Sequence, residues 1–192
     1  MPSRFFSLIA LLGFSLGIHA QSKAPGRFEI YGGYTFLSNS FNGVPGSRQP
    51  LNGWDGSVAF PPWHNLRFTI EAFGYRGTNL GAQQDAVFIM GGGQYGRHFG
   101  REAVFVEVLA GEAGLNRYWG ANQTPGELAS FASLLGGGLD TPLTRHFAFR
   151  VVGDYLWENF ALVQSVTNPL PYRPPGLPNN FARISTGCVW RF

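Results

Sequence analysis

Hydrophobic and polar residues alternate one for one over most of the chain. Between about Arg27 and Leu37, Phe28, Ile30, Tyr34 and Phe36 occupy one side of the alternation and Glu29, Tyr31, Gly33 and Thr35 the other. A period of two is that of an extended strand, whose successive side chains point to opposite faces. The pattern returns over about Leu51–Phe60, where Trp54, Val58 and Phe60 oppose Asp55, Ser57 and Ala59, and over about Leu66–Tyr75, where Leu66, Phe68 and Ile70 oppose Arg67, Thr69 and Glu71. It returns again over about Glu102–Gly111 (Val104, Val106, Val108 against Phe105, Glu107, Leu109) and about Phe147–Trp157 (Phe149, Val151, Tyr155, Trp157 against Arg150, Val152, Asp154). A last strand, Phe181–Phe192, sets Ala182, Ile184, Thr186, Cys188, Trp190 and Phe192 against Arg183, Ser185, Gly187, Val189 and Arg191. Two more strands are predicted, over about Ala86–Gly96, whose Val87-Phe88-Ile89-Met90 is apolar on both faces, and over about Leu128–Leu139.

The eight strands are joined by connections of alternating length. Loops are predicted over 38–50, 76–85, 112–127 and 158–179, and short turns over Pro61–Asn65, Arg97–Arg101 and Asp140–His146. Proline, which has no N–H to give a ladder, falls in these connections, five times in the last loop alone. Long and short in turn is the order of an antiparallel up-and-down meander with both termini at one end. The triplets Gly91–Gly93 and Gly136–Gly138, each ahead of an Arg-His-Phe turn, read as repeated hairpin architecture. The Gly91-Gly92-Gly93-Gln94-Tyr95-Gly96 stretch also matches a dinucleotide fingerprint, but no helix start follows it.

Composition decides which stripe meets which environment. Charged residues make up 13% of the chain and aromatics 16%, a poor surface for water. After residue 20 no apolar run is long enough for a spanning helix. A bilayer admits strands only when every backbone group is bonded within a closed barrel. The predicted fold is therefore all-β: an eight-stranded antiparallel up-and-down transmembrane β-barrel with short periplasmic turns and long external loops. Residues 1–20 predict a secretory signal peptide, with Arg4, an apolar run from Phe5 to Ile18 and a small residue at Ala20, leaving 21–192 as one barrel domain. A single cysteine, Cys188, excludes an intrachain disulfide, and 14 Lys+Arg against 11 Asp+Glu is too even a balance to predict nucleic-acid binding.

The final strand, with Ile184, Cys188, Trp190 and Phe192 on its apolar stripe, resembles the C-terminal assembly signal of bacterial outer-membrane barrels. Cys188 departs from the bulkier apolar residues usual at that place. With the N-terminal segment and the strand spacing, the chain as a whole is similar to the small eight-stranded outer-membrane barrels, the OmpA-type transmembrane domain and its relatives. The resemblance implies a place in the bacterial outer membrane, with outer-membrane lipid as the standing partner and periplasmic chaperones and the barrel-assembly machinery as partners during biogenesis. It implies no cofactor, and surface ligands would meet loops 38–50, 112–127 and 158–179.

The chemistry of such a chain lies in its inward charges: Glu29, Asp55, Arg67, Glu71, Glu107, Arg150, Asp154 and Arg183. An eight-stranded barrel is just wide enough to be filled by side chains, so these groups must pair across the lumen. Arg150 and Asp154 share a face but stand about 13 Å apart along a strand, so each needs partners on other strands. The expected result is a plug of paired charges in a non-enzymatic structural or surface protein. A narrow or gated porin-like channel is the first alternative. A secreted lipocalin-like binder, with the faces reversed, is the second. A lipid A-modifying enzyme is the least favoured, because His64, His98 and His146 fall in turns without a serine two residues on. Those histidines, one per turn, are read as solvated surface and not as a metal site. Trp54, Phe60, Trp63, Tyr155, Trp157 and Trp190 are read as interfacial girdles and not as a ligand-stacking set.

Overall fold

The computed structural model describes residues 28–38, 50–79, 82–119, 126–159 and 180–192. Eight strands run in chain order: β1 (Glu29–Leu37), β2 (Leu51–Ala59), β3 (Leu66–Asn79), β4 (Ala82–Phe99), β5 (Glu102–Trp119), β6 (Gly126–Pro142), β7 (Phe147–Glu158) and β8 (Asn180–Arg191). Each pairs antiparallel with its sequence neighbours, and β1 pairs with β8, which closes the barrel. The closure is staggered. Following paired residues from Leu37 leads through Arg183, Asp154, Gly136, Glu107 and Gln94 to Arg67, so one continuous row joins the loop end of β1 to the turn end of β3. Such a stagger is what tilts strands in a closed barrel.

Every predicted strand is present, with the predicted facing wherever a facing was predicted. In β4, Phe88 and Met90 point inward while Val87 and Ile89 are exposed. The exterior is inverted relative to a protein in water: Phe28, Ile30, Tyr34, Trp54, Phe68, Ile70, Val106, Val108, Leu135, Ile184 and Trp190 are all exposed, while Arg150, Arg183, Asp55 and Glu71 are buried. The six aromatics read as girdle residues all stand on this outer surface. Phe28 stacks on Phe192 across the β1/β8 closure and touches Phe60, and Trp190 also packs on Phe192, forming one aromatic patch at the turn end.

Several predicted connections are corrected. The loop expected over 76–85 is mostly strand, because β3 and β4 pair without a break to Asn79 opposite Ala82. The loop expected over 112–127 is strand to Trp119 and again from Gly126. The Arg97–Arg101 turn shrinks to Gly100-Arg101. Gly100 there takes a φ of 62°, the left-handed conformation that a tight hairpin favours in glycine. The turn expected from Asp140 begins after Pro142. The long–short alternation therefore fails at the β3–β4 connection. Residues 1–27, 39–49 and 160–179, which include the signal-peptide segment and most of the first and last loops, lie outside the described residues.

Candidate functional site

The lumen holds two ionic tiers, and the inward period of each strand places them. Nearest the short turns, Arg150 on β7 donates from Nε to Asp140 Oδ1 at 2.6 Å, and from Nη2 to Asp140 Oδ2 at 2.8 Å and Glu29 Oε2 at 3.0 Å. Arg191 donates to Glu29 at 2.9 Å and Asp140 at 2.5 Å, and Arg67 pairs with Glu29 at 2.7 Å. Two carboxylates are thus shared by three guanidinium groups. The Arg150 guanidinium also lies 4.6 Å from the Phe105 ring centre and 5.6 Å from that of Tyr31. Aromatic rings satisfy its faces as the carboxylates satisfy its edge.

The second tier stands deeper and has the opposite balance. Arg183, 1% exposed, donates from Nε to Asp154 Oδ2 at 2.7 Å, pairs through Nη1 with Glu71 at 2.5 Å and lies 3.7 Å from Asp55. Its guanidinium sits 4.2 Å over the Phe73 ring. Glu107 accepts from Gln94 at 3.0 Å. Among the described residues this tier sets Arg183 against Asp55, Glu71, Glu107 and Asp154. Space for Asp154 is made on the neighbouring strand, where a Cβ at Gly136 would overlap its Oδ1. This position in β6 is held to glycine by a carboxylate.

On the loop side of Arg183 the interior is mostly apolar, with the buried carboxylate of Glu158 beyond it at the end of β7. Beyond Glu71 on β3 come Phe73 and Tyr75, and beyond Asp154 on β7 comes Leu156. Phe73 stacks on Phe88 at 4.7 Å, and Tyr75 meets both rings edge-on. Leu37, Leu51, Met90, Leu109, Leu115, Leu134 and Phe181 belong to the same buried cluster. The hydroxyls of Tyr75 and Thr35 hydrogen-bond at 3.2 Å within it. The lumen is therefore obstructed twice, by paired charges and by packed apolar side chains.

All eight predicted lumen charges point inward, and seven of them are buried with Arg67 half-buried. They separate into Glu29, Arg67 and Arg150 in one tier and Asp55, Glu71, Glu107, Asp154 and Arg183 in the other. The sequence reading misses Asp140, Arg191, Gln94 and Glu158, the last assigned to a loop although it is the buried end of β7. Asp140 continues the inward period of Leu134, Gly136 and Gly138, but the Thr-Pro after it reads as a turn. Arg191 is on the inward stripe, and its terminal position hides its reach to Glu29. Of the terminal-strand residues, Ile184, Cys188, Trp190 and Phe192 are exposed on the outer face. His64 and His146 are exposed, and His146 Nδ1 lies 3.1 Å from the Arg191 carbonyl. Among the described residues no group of three or more His, Cys, Asp or Glu is placed to hold a metal. The lipocalin-like alternative is overturned by the facing, since Phe28, Ile30, Phe68, Ile70, Val104, Val106 and Phe149, which it requires inside, are exposed.

An apolar exterior around a charged, filled interior defines the class: a transmembrane eight-stranded antiparallel β-barrel with the fold of the small outer-membrane proteins. Solved structures share this fold. Neisserial surface protein A superposes with a TM-score of 0.62 at 11% identity, covering 86% of this chain and 96% of that one. Ail, the attachment invasion locus protein of Yersinia pestis, gives 0.58 at 12%, covering 88% and 100%. The N-terminal β-barrel domain of Pseudomonas aeruginosa OprF gives 0.50 at 14%, covering 88% and 100%. At such identities the likeness is one of fold. No family profile and no curated protein matches the chain in sequence.

Proposed function

We propose that this protein is an integral, non-enzymatic barrel of the bacterial outer membrane with a structural and surface-presenting role, its lumen closed to solutes. The double obstruction of the lumen carries this reading: opening a path would break the Arg183 and Arg150 pairs and also unpack Phe73, Phe88 and Tyr75. The inverted exterior supports residence in lipid, and residues 1–20 would direct export. Ile184, Cys188, Trp190 and Phe192 would present the assembly machinery with an apolar stripe on the closing strand. Ail has been crystallised with the heparin analogue sucrose octasulfate. Here 38–50, 112–127 and 158–179 hold one cation each, Arg48, Arg117 and Arg173, which argues against a polyanion as the loop ligand.

The test is electrical and is paired with a folding control. Purified chain, shown to be folded by a gel mobility that shifts on boiling, is added to planar bilayers. Closure predicts a silent membrane. Steady single-channel steps from the folded chain would establish the porin-like alternative.

A further inference from the structure

The lipid-facing surface has a gap near the short turns. On the outer face of β4, Gly93 stands between Phe68 of β3 and Val108 of β5, and a Cβ there would meet only Leu66 Cδ1, at 3.7 Å. The missing side chain leaves a groove of about 330 Å³ whose walls include Phe60, Trp63, Leu66, Arg67 and Phe68. That is the low end of the roughly 300–1,000 Å³ of ligand pockets, and suits one flexible chain better than a bulky ring system. The groove opens on a face already bathed in acyl chains.

Turn-ward of the groove, beyond its lining residues, the exposed outer surface is cationic. Arg97 shares the outer stripe of β4 with Gly93 and Tyr95. Four residues of strand put it about 13 Å from Gly93. Its guanidinium lies 5.8 Å from the Phe99 ring. Arg101 is exposed in the turn beside it, and the half-buried Glu102 follows. Trp63, 77% exposed, packs edge-on against His64 at the same rim, where amphipathic rings meet headgroups. An apolar groove with exposed guanidinium groups farther toward the turn complements a molecule with a hydrocarbon tail and a negative head.

We propose that this groove binds one acyl chain of an anionic phospholipid of the inner leaflet, with Arg97 and Arg101 attracting the net negative charge of its headgroup. The proposal rests on the membrane-barrel reading, with the short turns on the periplasmic side. An arginine near an anionic surface contributes about 1 kcal/mol, so each sets about a fivefold preference.

Native mass spectrometry of the folded chain in detergent, titrated with phosphatidylglycerol or phosphatidylcholine of matched acyl chains, tests it. The expected result is retention of phosphatidylglycerol at least about fivefold better, a preference that Arg97→Gln lowers about fivefold, while Gly93→Leu, which fills the groove, weakens retention of both lipids. Equal retention of the two lipids overturns the proposal, as does full retention by Gly93→Leu or a preference for lipopolysaccharide over phosphatidylglycerol. The boil-induced gel shift of each variant is read in parallel. A wild-type chain without that shift strikes at the membrane-barrel reading instead, so the two failures are distinguishable.

Discussion

At the scale of single residues the acidic tier makes opposite predictions for its cation and for one of its carboxylates. Arg183 faces Asp55, Glu71 and Asp154, so Arg183→Met leaves buried carboxylates facing one another without a cation. Removing one partner of a buried pair costs about 3–5 kcal/mol, and here several partners are stranded together. The urea midpoint for the chain folded in vesicles should fall accordingly. Glu107→Gln acts the other way. It keeps an acceptor for Gln94 and removes one negative charge from a tier already rich in them, so its cost should be about 1 kcal/mol or less, or negative. A large loss of stability in Glu107→Gln, matching that of Arg183→Met, would show that the tier is balanced by a cation other than Arg183.

At the scale of elements, β8 carries the closure of the barrel. It pairs with β1 along its length, and Phe192 extends the contact by an N–H to the Phe28 carbonyl at 3.2 Å and by ring stacking. Phe192→Ala removes those ring contacts, and with them part of the apolar stripe offered during assembly. It should lower the fraction of chain reaching the heat-shifted form on refolding into vesicles, and lower the amount in outer-membrane fractions further. Equal folding and equal abundance would leave Phe192 without either role. The strands themselves are legible in the sequence because lipid outside and charge inside reverse the usual alternation without blurring it. Strand ends are not. Above the bilayer both faces of a strand are wet, so Arg76, paired with Asp85 across β3 and β4, looks like loop although the ladder continues past it. The facing of β4 is illegible for the complementary reason: Phe88 and Met90 point into the apolar part of the lumen, so apolar residues lie on both sides. Of the interior, the charges of the acidic tier are all legible, while Asp140 and Arg191 are lost to local turn signals and chain-end position.

At the scale of the molecule, Cys188 offers a direct test of which surface faces lipid. It is exposed on the outer stripe between Thr186 and Trp190. A charged reagent is excluded from hydrocarbon, so it meets only a thiol that is in contact with water. In vesicles a charged, membrane-impermeant maleimide should leave Cys188 unmodified until the barrel is unfolded, whereas a lipid-soluble one should reach it. Rapid labelling by the charged reagent in the folded state would place this stripe in water. The strands are also unequal: β4, β5 and β6 have 18, 18 and 17 residues, against 9 in β1 and β2 and 12 in β7 and β8. About ten residues suffice to cross the bilayer at a tilt, so the surplus lifts one side of the barrel roughly 15 Å above the lipid. What a cell shows its surroundings is then a parapet of hydrogen-bonded sheet on one flank. An antibody raised against intact cells would recognise that sheet as a folded epitope, and linear peptides copied from its strands would not compete for it.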